Sequence, residues 1–340
     1  MNFKTTLTGR FVTTGLVVAL TTSAAFLFGY APGAYGAAPA VPHVVSFGDS
    51  LSDLGTYATR TEGRSAGRFT TNPGPIWIEV VAQGLGSAIT LNRHAGWGKP
   101  PQAMGGTAYG EGGARVALQP GSNNTDATKG AGSEQTTLPV RAQISAYLDY
   151  SHGQFTPDDT VFVWAGANDL FQHAFFAHSS SDAAGDALVR EAARDLVAEV
   201  KRIGATGATR IVVLNLYDFG QVPFFIAKPK SVVLSAWTRS FNDELASGLA
   251  GTPVLLVDLF SLMHLANADP AHYGLKSASS SACKLDDLPQ RAVVFCTDQT
   301  LVEKDANLNF LYADGLHPTT VGHRIIGEYV LAAMKTAGMR

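Results

Sequence analysis

Four short runs rich in apolar and β-branched residues constrain the fold of this chain more than any other feature. They lie at residues 43–47, 160–164, 211–214 and 254–257. Apolar runs of this length without alternation are typical of strands that are buried on both faces of a parallel sheet. The intervening stretches with helical periodicity lie at residues 76–85, 186–203 and 318–335. Strands that alternate with amphipathic helices predict an α/β domain with a central parallel sheet.

Two long segments interrupt this alternation, near residues 92–139 and 268–290. The first is rich in Gly, Pro, Ser, Asn and Thr and has little periodicity. Long irregular insertions in a compact domain are usually functional loops or disorder, and the first segment is a candidate lid. Since no internal repeat is visible, residues 37–340 are predicted to form one domain with these two insertions.

Residues 1–36 have the pattern of an export signal. Lys4 and Arg10 supply positive charge, and a long, mostly apolar stretch follows them. Ala34 and Gly36 place small residues at the −3 and −1 positions of a cleavage site. The alternative is an uncleaved membrane anchor, which the threonines in the apolar stretch disfavour. In either case the body of the protein is expected outside the cytoplasm, secreted or in the periplasm.

Charge and cysteine content exclude several classes of protein. The chain has 25 Lys and Arg against 28 Asp and Glu, a net charge of −3, and no basic run, which argues against nucleic-acid binding.

Cys283 and Cys296 are the chain's only cysteines. In an oxidising compartment they are expected to form a disulfide, with two buried free thiols as the alternative.

Two polar side chains follow predicted strands at the point where parallel sheets bind ligands. Ser50 follows the first strand in the sequence Gly48-Asp49-Ser50 and could act as a nucleophile close to helix-start N–H groups. Asn168 follows the second strand, and its side-chain amide could donate to a developing oxyanion. The alternatives are a helix-capping serine and an Asn-Asp turn.

Two further signals complement them. Asp314 precedes His317 by three residues, so the carboxylate can orient one ring nitrogen while the other takes a serine proton. Alternatively, Asp314 caps the following helix and His317 is merely a solvated neighbour. The loop Gly110-Glu111-Gly112-Gly113 could supply a backbone N–H to an oxyanion hole, although by itself it is only a loop. The remaining histidines show no metal-ligand spacing, so neither a metal nor another cofactor is expected.

Together, in this order along the chain, the four signals resemble the GDSL esterase/lipase family, also called SGNH hydrolases. The stretches FGDSLSDLG (47–55) and GRFTTNPGPIWIE (67–79) resemble its secreted bacterial branch of phospholipases, lecithinases and haemolysins. The resemblance implies a three-layer α/β/α sandwich of flavodoxin-like type. It also implies site roles, namely Ser50 as nucleophile, Asp314 and His317 as its partners, and an oxyanion hole formed by Ser50, Gly113 and Asn168.

The sequence departs from the family pattern at two positions. Family members often carry an asparagine five residues before the oxyanion glycine, where this chain has Ala108. The choice of Gly113 over Gly112 rests on that spacing. The first block often ends in Gly-Asn, whereas here Thr56 follows Gly55. Neither change touches a residue expected to do chemistry.

Aromatic residues that follow the predicted strands suggest the substrate. Phe171, Phe175 and Tyr217 are predicted to contact an apolar acyl group, with ordinary core packing as the alternative. The sequence thus favours a secreted serine esterase or lipase that hydrolyses lipid-like or hydrophobic esters through an acyl-enzyme. Alternatives are a carbohydrate-ester deacetylase, a lipid acyltransferase and a catalytically silent exported binding protein. The expected partners are a small-molecule or lipid ester and, transiently, a lipid surface. The sequence does not indicate an oligomeric state.

Overall fold

Eight strands form the sheets in the part of the chain that the structure describes. They are β1 (His43–Gly48), β2 (Arg93–Gly96), β3 (Lys99–Ala103), β4 (Asp159–Trp164), β5 (Arg210–Leu214), β6 (Leu255–Val257), β7 (Ser277–Ser281) and β8 (Phe310–Tyr312). Four of them make the central sheet in the order β1-β4-β5-β6, with every neighbouring pair parallel. Each predicted apolar run coincides with one of these four strands, apart from Val254, which precedes β6. This confirms the predicted central parallel sheet.

The computed structural model describes residues 41, 43–61, 66–96, 99–122, 137–176 and 181–339, except for the side chains of Arg60, Lys99, Phe175 and Phe176. The expected export signal lies outside this part of the chain. Contacts divide the chain between Pro39 and Ala40, and the described residues belong to the unit Ala40–Arg340. None of the helices in the described ranges is long and apolar enough to cross a membrane.

Among the described residues, eight α-helices accompany the strands. They are α1 (Trp77–Gly84), α2 (Val140–Tyr150), α3 (Ala167–Phe171), α4 (Asp182–Ala205), α5 (Ser231–Leu249), α6 (Leu259–Ala268), α7 (Ala306–Asn309) and α8 (Thr320–Thr336). The three predicted helices correspond to α1, α4 and α8. Helix α8 starts two residues later than its periodicity suggests, because the Thr319 hydroxyl accepts the Gly322 N–H (3.1 Å) and caps the helix there.

Helices cover both faces of the central sheet. Neighbouring residues of a strand point to opposite faces, so Val163 and Trp164 of β4 mark its two sides. The Trp164 ring packs edge-on against Trp77 of α1, with ring centroids 5.7 Å apart. Phe47 of β1 is the register partner of Val163 and packs against Tyr147 of α2, with centroids 6.0 Å apart. Because α1 and α2 lie on opposite faces, the domain is a three-layer α/β/α sandwich, as predicted.

The two interrupting segments contain strands that their sequences do not reveal. In the first, β2 and β3 form a two-stranded antiparallel ribbon. Its position is set by long-range contacts, including the Ala95 N–H bonded to the Thr56 carbonyl (3.0 Å). In the second, β7 has the sequence Ser-Ala-Ser-Ser-Ser and pairs in parallel with β8. Neither segment has the apolar pattern by which a strand is identified, so only tertiary pairing makes them strands.

Cys283 and Cys296 form a disulfide. The pairing is the one expected, and the alternative of two free thiols is wrong. The apolar residues that the bridge encloses belong to a small cluster, separate from the main core, which also contains Leu301 and Phe310 and against which Phe69 packs. Two enclosed residues, Leu285 and Arg291, also line the cleft described below. The bridged segment is therefore one wall of that cleft.

Candidate active site

Ser50 lies at the carboxyl edge of the central sheet, directly after β1. It begins a 3₁₀ turn, Ser50–Ser52, whose cap is Asp49 rather than Ser50. The Asp49 carboxylate accepts the Leu51 N–H (3.0 Å). The turn packs tightly on the sheet, since a Cβ on Gly48 would lie 2.4 Å from the Trp164 carbonyl oxygen. The capping residue is therefore Asp49 and not Ser50, contrary to the alternative considered from the sequence. The Ser50 hydroxyl remains available for chemistry.

His317 and Asp314 come from outside the central sheet, on the turn that follows β8. The structure nevertheless brings them to Ser50. The Ser50 hydroxyl lies 2.9 Å from His317 Nε2, and His317 Nδ1 lies 2.8 Å from Asp314 Oδ2. The other carboxylate oxygen of Asp314 accepts the backbone N–H groups of Leu316 (2.9 Å) and His317 (2.7 Å). Asp314 therefore shapes the turn and holds the ring at the same time.

The charges around the hydrogen-bonded residues Ser50, His317 and Asp314 favour proton transfer from the serine to the histidine. Burial by itself would raise the pKa of Asp314, but the charge of His317 and the hydrogen bonds from its ring and backbone outweigh burial. The pKa of Asp314 accordingly lies below its usual value, which keeps the carboxylate charged. A charged carboxylate places the proton of neutral His317 on Nδ1, so that Nε2 can accept the proton of a serine hydroxyl.

Two aromatic residues support the histidine from either side. The Phe69 ring lies 5.2 Å from the His317 ring, centroid to centroid. The Tyr217 hydroxyl donates to the Leu316 carbonyl (2.7 Å), next to the histidine in the chain. Sequence reasoning proposed Tyr217 only as a substrate contact and did not single out Phe69. The sequence feature that could have identified Phe69 is its position in the stretch at residues 67–79, which resembles the family.

Asn168 and Gly113 meet beside Ser50. Asn168 lies in the first turn of α3, and one hydrogen of its side-chain amide is donated to the Ala114 carbonyl (3.0 Å). Gly112 donates its N–H to the buried Asp53 carboxylate (2.8 Å). Gly113 has a φ of +85°, a conformation that favours glycine, and its N–H has no acceptor among the described residues. Of the two glycines, only Gly113 therefore offers its N–H to a ligand.

A buried ion pair joins the two elements that carry Gly113 and Asn168. Arg115 Nε lies 3.0 Å from Asp169 Oδ1, and the other oxygen of Asp169 accepts the Val116 N–H (2.9 Å). Both side chains are almost completely buried. Buried charges of this kind fix the geometry around them when they are fully paired. Sequence reasoning missed this pair, although Asp169 directly follows Asn168 and Arg115 closely follows the glycines.

The predicted site residues surround one cleft of about 510 Å³. Its lining includes the following site residues: Ser50, Gly113, Asn168, Asp314 and His317. Most of the remaining wall is apolar and includes Phe171 and Tyr217, while their contact with an acyl group stays a prediction. The side chain of Phe175 lies outside the described part of the chain. In the described ranges, no group of three or more His, Cys, Asp or Glu side chains is placed to hold a metal ion.

Asp49 is a second buried carboxylate beside this site. Burial raises its pKa to about 7, although the Leu51 N–H and the charge of His317 oppose the rise. Its second oxygen, Oδ2, has no hydrogen-bond partner among the described residues. Ionising a carboxyl group in such a place is costly, so the folded protein favours the neutral form.

We expect Asp49→Asn to make the protein more stable at alkaline pH but not at acidic pH. Because the folded pKa lies above the unfolded value, neutral Asp49 contributes stability below pH 4, and that contribution is lost as the pH rises through 7. The loss is on the order of 4 kcal/mol for a shift of this size. Urea unfolding of both proteins at pH 4.5 and pH 8.5 measures it. A difference in unfolding free energy that is the same at both pH values would contradict this interpretation.

Comparison with known proteins agrees with this geometry. A family model described as GDSL-like Lipase/Acylhydrolase matches residues 44–330. The phosphatidylcholine-sterol acyltransferase of Aeromonas hydrophila is 27% identical over 340 residues, covering 85% of this chain and 89% of that protein. The thermolabile hemolysin of Vibrio parahaemolyticus is 24% identical over 308 residues, covering 85% of this chain but only 62% of the hemolysin.

Among solved structures, phospholipase A1 from Streptomyces albidoflavus is 13% identical with a TM-score of 0.45, and the match covers 86% of this chain and 99% of that one. The family model spans far more than half of the sequence. It includes the segments that carry Ser50, Gly113, Asn168, Asp314 and His317, and it confirms the predicted family. The chain therefore belongs to the GDSL-like lipase/acylhydrolase family and is a carboxylic-ester hydrolase.

Proposed function

We propose that this protein is an exported serine esterase or lipase that hydrolyses lipid-like or hydrophobic carboxylic esters through an acyl-enzyme. One observation carries the proposal. The hydrogen-bonded chain Ser50–His317–Asp314 opens into a cleft whose wall is mostly apolar. The expected N-terminal signal and the disulfide support export, since structural disulfides persist in oxidising compartments.

In the proposed mechanism, Ser50 Oγ attacks the ester carbonyl carbon while its proton passes to His317 Nε2. Asp314 holds the ring in the required tautomer and stabilises the imidazolium that forms. When the tetrahedral intermediate collapses, His317 returns the proton to the leaving alkoxide, and the acyl group remains on Ser50. A water molecule then repeats the sequence, with His317 as its base, and releases the carboxylic acid.

The negative charge on the carbonyl oxygen is proposed to be stabilised by three donors. They are the backbone N–H groups of Ser50 and Gly113 and the second amide hydrogen of Asn168. The first hydrogen of that amide is held by Ala114, so the group is oriented before substrate arrives. Donors fixed in advance need no reorganisation as the charge develops, which makes them effective in catalysis.

We expect Asn168→Ala to lower kcat by about 10²- to 10³-fold and to change KM little, because the amide acts mainly on the charged transition state. Steady-state kinetics with a soluble aryl ester measures both constants. Asn215→Ala is the matched control, since Asn215 follows the neighbouring strand β5 and bonds to Asp258 instead (2.9 Å). An Asn168 variant that chiefly raises KM would assign the residue to substrate binding.

A panel of substrates tests the proposed substrate class. Aryl esters of increasing acyl length, phosphatidylcholine, lysophosphatidylcholine and acetylated xylan are compared by kcat/KM. The apolar wall predicts that medium or long acyl chains are preferred to acetyl groups. A preference for acetylated sugar would instead identify a carbohydrate-ester deacetylase. Activity towards none of these esters, in a folded protein, would refute the proposal and favour a silent binding protein.

Acyl transfer is the second candidate function, and the likeness to the Aeromonas acyltransferase favours it. The same acyl-enzyme would then pass its acyl group to an alcohol in place of water. Adding a sterol to phosphatidylcholine vesicles distinguishes the two outcomes. Free fatty acid as the main product supports hydrolysis, whereas a sterol ester as the main product supports transfer.

A further inference from the structure

Three exposed apolar side chains lie close together in sequence, two on the segment between β5 and α5 and one in the first turn of α5. We call this cluster the apolar rim, and it consists of Phe224, Ile226 and Val232. These side chains are 50%, 48% and 80% exposed. They are three of the ten large apolar side chains that are exposed in the described ranges, and they fall within nine residues. Single exposed apolar residues are ordinary, but a contiguous cluster marks an interaction surface.

The apolar rim is continuous with the mouth of the cleft. Phe224 itself lines the cleft, as does its buried neighbour Phe225. The Phe224 N–H donates to the Gly315 carbonyl (2.9 Å), one residue beyond Asp314. A molecule that rests on the rim is therefore adjacent to the entrance through which an ester reaches Ser50.

The segment is held in a defined shape that keeps these side chains outside the core. Ile226 donates its N–H to the Val222 carbonyl (3.0 Å), and Lys228 donates to the Phe225 carbonyl (2.8 Å). Ser231 donates to the Lys228 carbonyl (3.0 Å) and begins α5. The exposure of the rim is thus part of the folded structure, and folding leaves its apolar area in contact with water.

The charge beside the rim is positive. Residues 222–232 contain Lys228 and Lys230 and no acidic residue, although the whole chain has a net charge of −3. Lys228 Nζ lies 3.3 Å above the centre of the Phe224 ring, so ammonium and aromatic groups share one face. Lys230 Nζ donates to the Ala174 carbonyl. Apolar side chains flanked by lysines are complementary to a bilayer surface that bears anionic headgroups.

We propose that the apolar rim and Lys228 dock this protein on a phospholipid surface that contains anionic lipids. The aliphatic and aromatic side chains enter the interfacial region, and the ammonium group meets the phosphates. Docking there would bring lipid esters directly to the cleft, a consequence that rests on the proposed function. The binding itself does not depend on catalysis.

Sedimentation with vesicles of ether-linked lipids tests the docking. The vesicles contain phosphatidylcholine alone or mixed with phosphatidylglycerol, and neither has a carboxylic ester to hydrolyse. The full chain is compared with Ile226→Ser/Val232→Ser and with Lys228→Glu. Matched controls are Leu308→Ser, also exposed but remote in sequence (55%), and Lys304→Glu, another exposed lysine. Every variant retains the same N-terminal residues, so differences in binding report on the rim.

The unchanged chain is expected to bind the anionic vesicles more tightly, with an affinity that decreases as salt increases. Each rim variant is expected to bind them about tenfold more weakly, while the controls bind like the unchanged chain. Equal binding by rim variants and controls would overturn the proposal, as would equal affinity for both kinds of vesicle. Rim variants that abolish self-association without affecting vesicle binding would identify a second copy of the chain as the occupant. Normal docking to these vesicles by a protein that hydrolyses none of the esters in the substrate panel would refute the proposed function alone.

Discussion

Replacing Ser50 with alanine is expected to lower kcat for ester hydrolysis by a factor on the order of 10⁶, the size seen when the nucleophile of such a unit is removed. The physical reason is that no covalent acyl-enzyme can form without the hydroxyl beside His317. The variant should fold normally, because the 3₁₀ turn is capped by Asp49 and not by Ser50. Single-turnover kinetics measures the loss, and circular dichroism verifies the fold.

The matched control for this prediction is Ser122→Ala. Ser122 lines the same cleft, but its hydroxyl is not bonded to His317 in the part of the chain that the structure describes. This variant should retain most of the activity. An organophosphate should label Ser50 in the unchanged protein. An adduct found by mass spectrometry on another residue, or near-normal hydrolysis by folded Ser50→Ala, would show that the nucleophile is assigned wrongly.

His317→Ala should lose about as much activity as Ser50→Ala, and the two losses should not add. The histidine removes the proton from the serine, so each residue is ineffective without the other. The 2.9 Å distance between Ser50 Oγ and His317 Nε2 is the structural basis for treating them as one unit. A double variant far less active than either single variant would indicate two independent contributions.

Asp314→Asn is expected to lower kcat by about 10³- to 10⁴-fold. An asparagine can still accept the two backbone N–H groups, so the turn should survive. Its amide, however, would donate to His317 Nδ1 and favour the tautomer with its proton on Nε2. That tautomer cannot accept the serine proton. Steady-state kinetics at the pH of maximal activity measures the effect.

Asp258→Asn is the control for this substitution. Asp258 also caps a turn, by accepting the Ser261 N–H (3.1 Å), but no histidine contacts it in the described structure. This control should keep its activity. A loss below tenfold in Asp314→Asn would mean that the backbone turn alone orients the ring, and that the carboxylate contributes little.

The carboxylate of Asp314 also has a consequence for stability. Its folded pKa is lowered by His317 and its hydrogen bonds, in opposition to burial. The resulting stabilisation is present above the ordinary carboxylate pKa and is lost as the pH falls through the folded pKa. Asp314→Asn should therefore destabilise the protein near neutral pH and approach the stability of the unchanged chain in acid. Asp49→Asn shows the opposite dependence, because the pKa of Asp49 is raised.

Local sequence predicted the central strands well because those strands are buried on both faces. The residues of such a strand are buried, because helices cover both faces of the sheet, and Val163 is one example. A run of apolar residues is therefore enough to identify the strand. The same reasoning could not find β7, whose serine-rich sequence pairs with β8 only through tertiary contacts. Since Asp314 and His317 directly follow β8, the placement of two of the five candidate site residues depended on a pairing that no local pattern predicts.

The candidate site was likewise predicted in part from local sequence and in part only from tertiary contacts. The residue types and the three-residue spacing of Asp314 and His317 were visible in the sequence, and so was the position of Ser50 after a strand. The meeting of Ser50 and His317 was implied only by the family resemblance, because local spacing says nothing about two residues that are 267 positions apart. The choice between Gly112 and Gly113 depended on Asp53, which occupies one N–H and leaves the other. Hydrogen bonding between distant residues decided it.

The sequence by itself indicated which strands of the central sheet are buried, which residues are candidates for nucleophilic chemistry, and which pairing of the two cysteines to expect in an oxidising compartment. These properties follow from the composition and spacing of neighbouring residues. Only the tertiary structure decided that the disulfide-bridged segment forms a wall of the cleft, that Phe69 packs on His317, and that the apolar rim faces solvent. Those three outcomes depend on contacts between elements that are far apart in the chain. Local periodicity indicates only which residues are buried in the core and which face water.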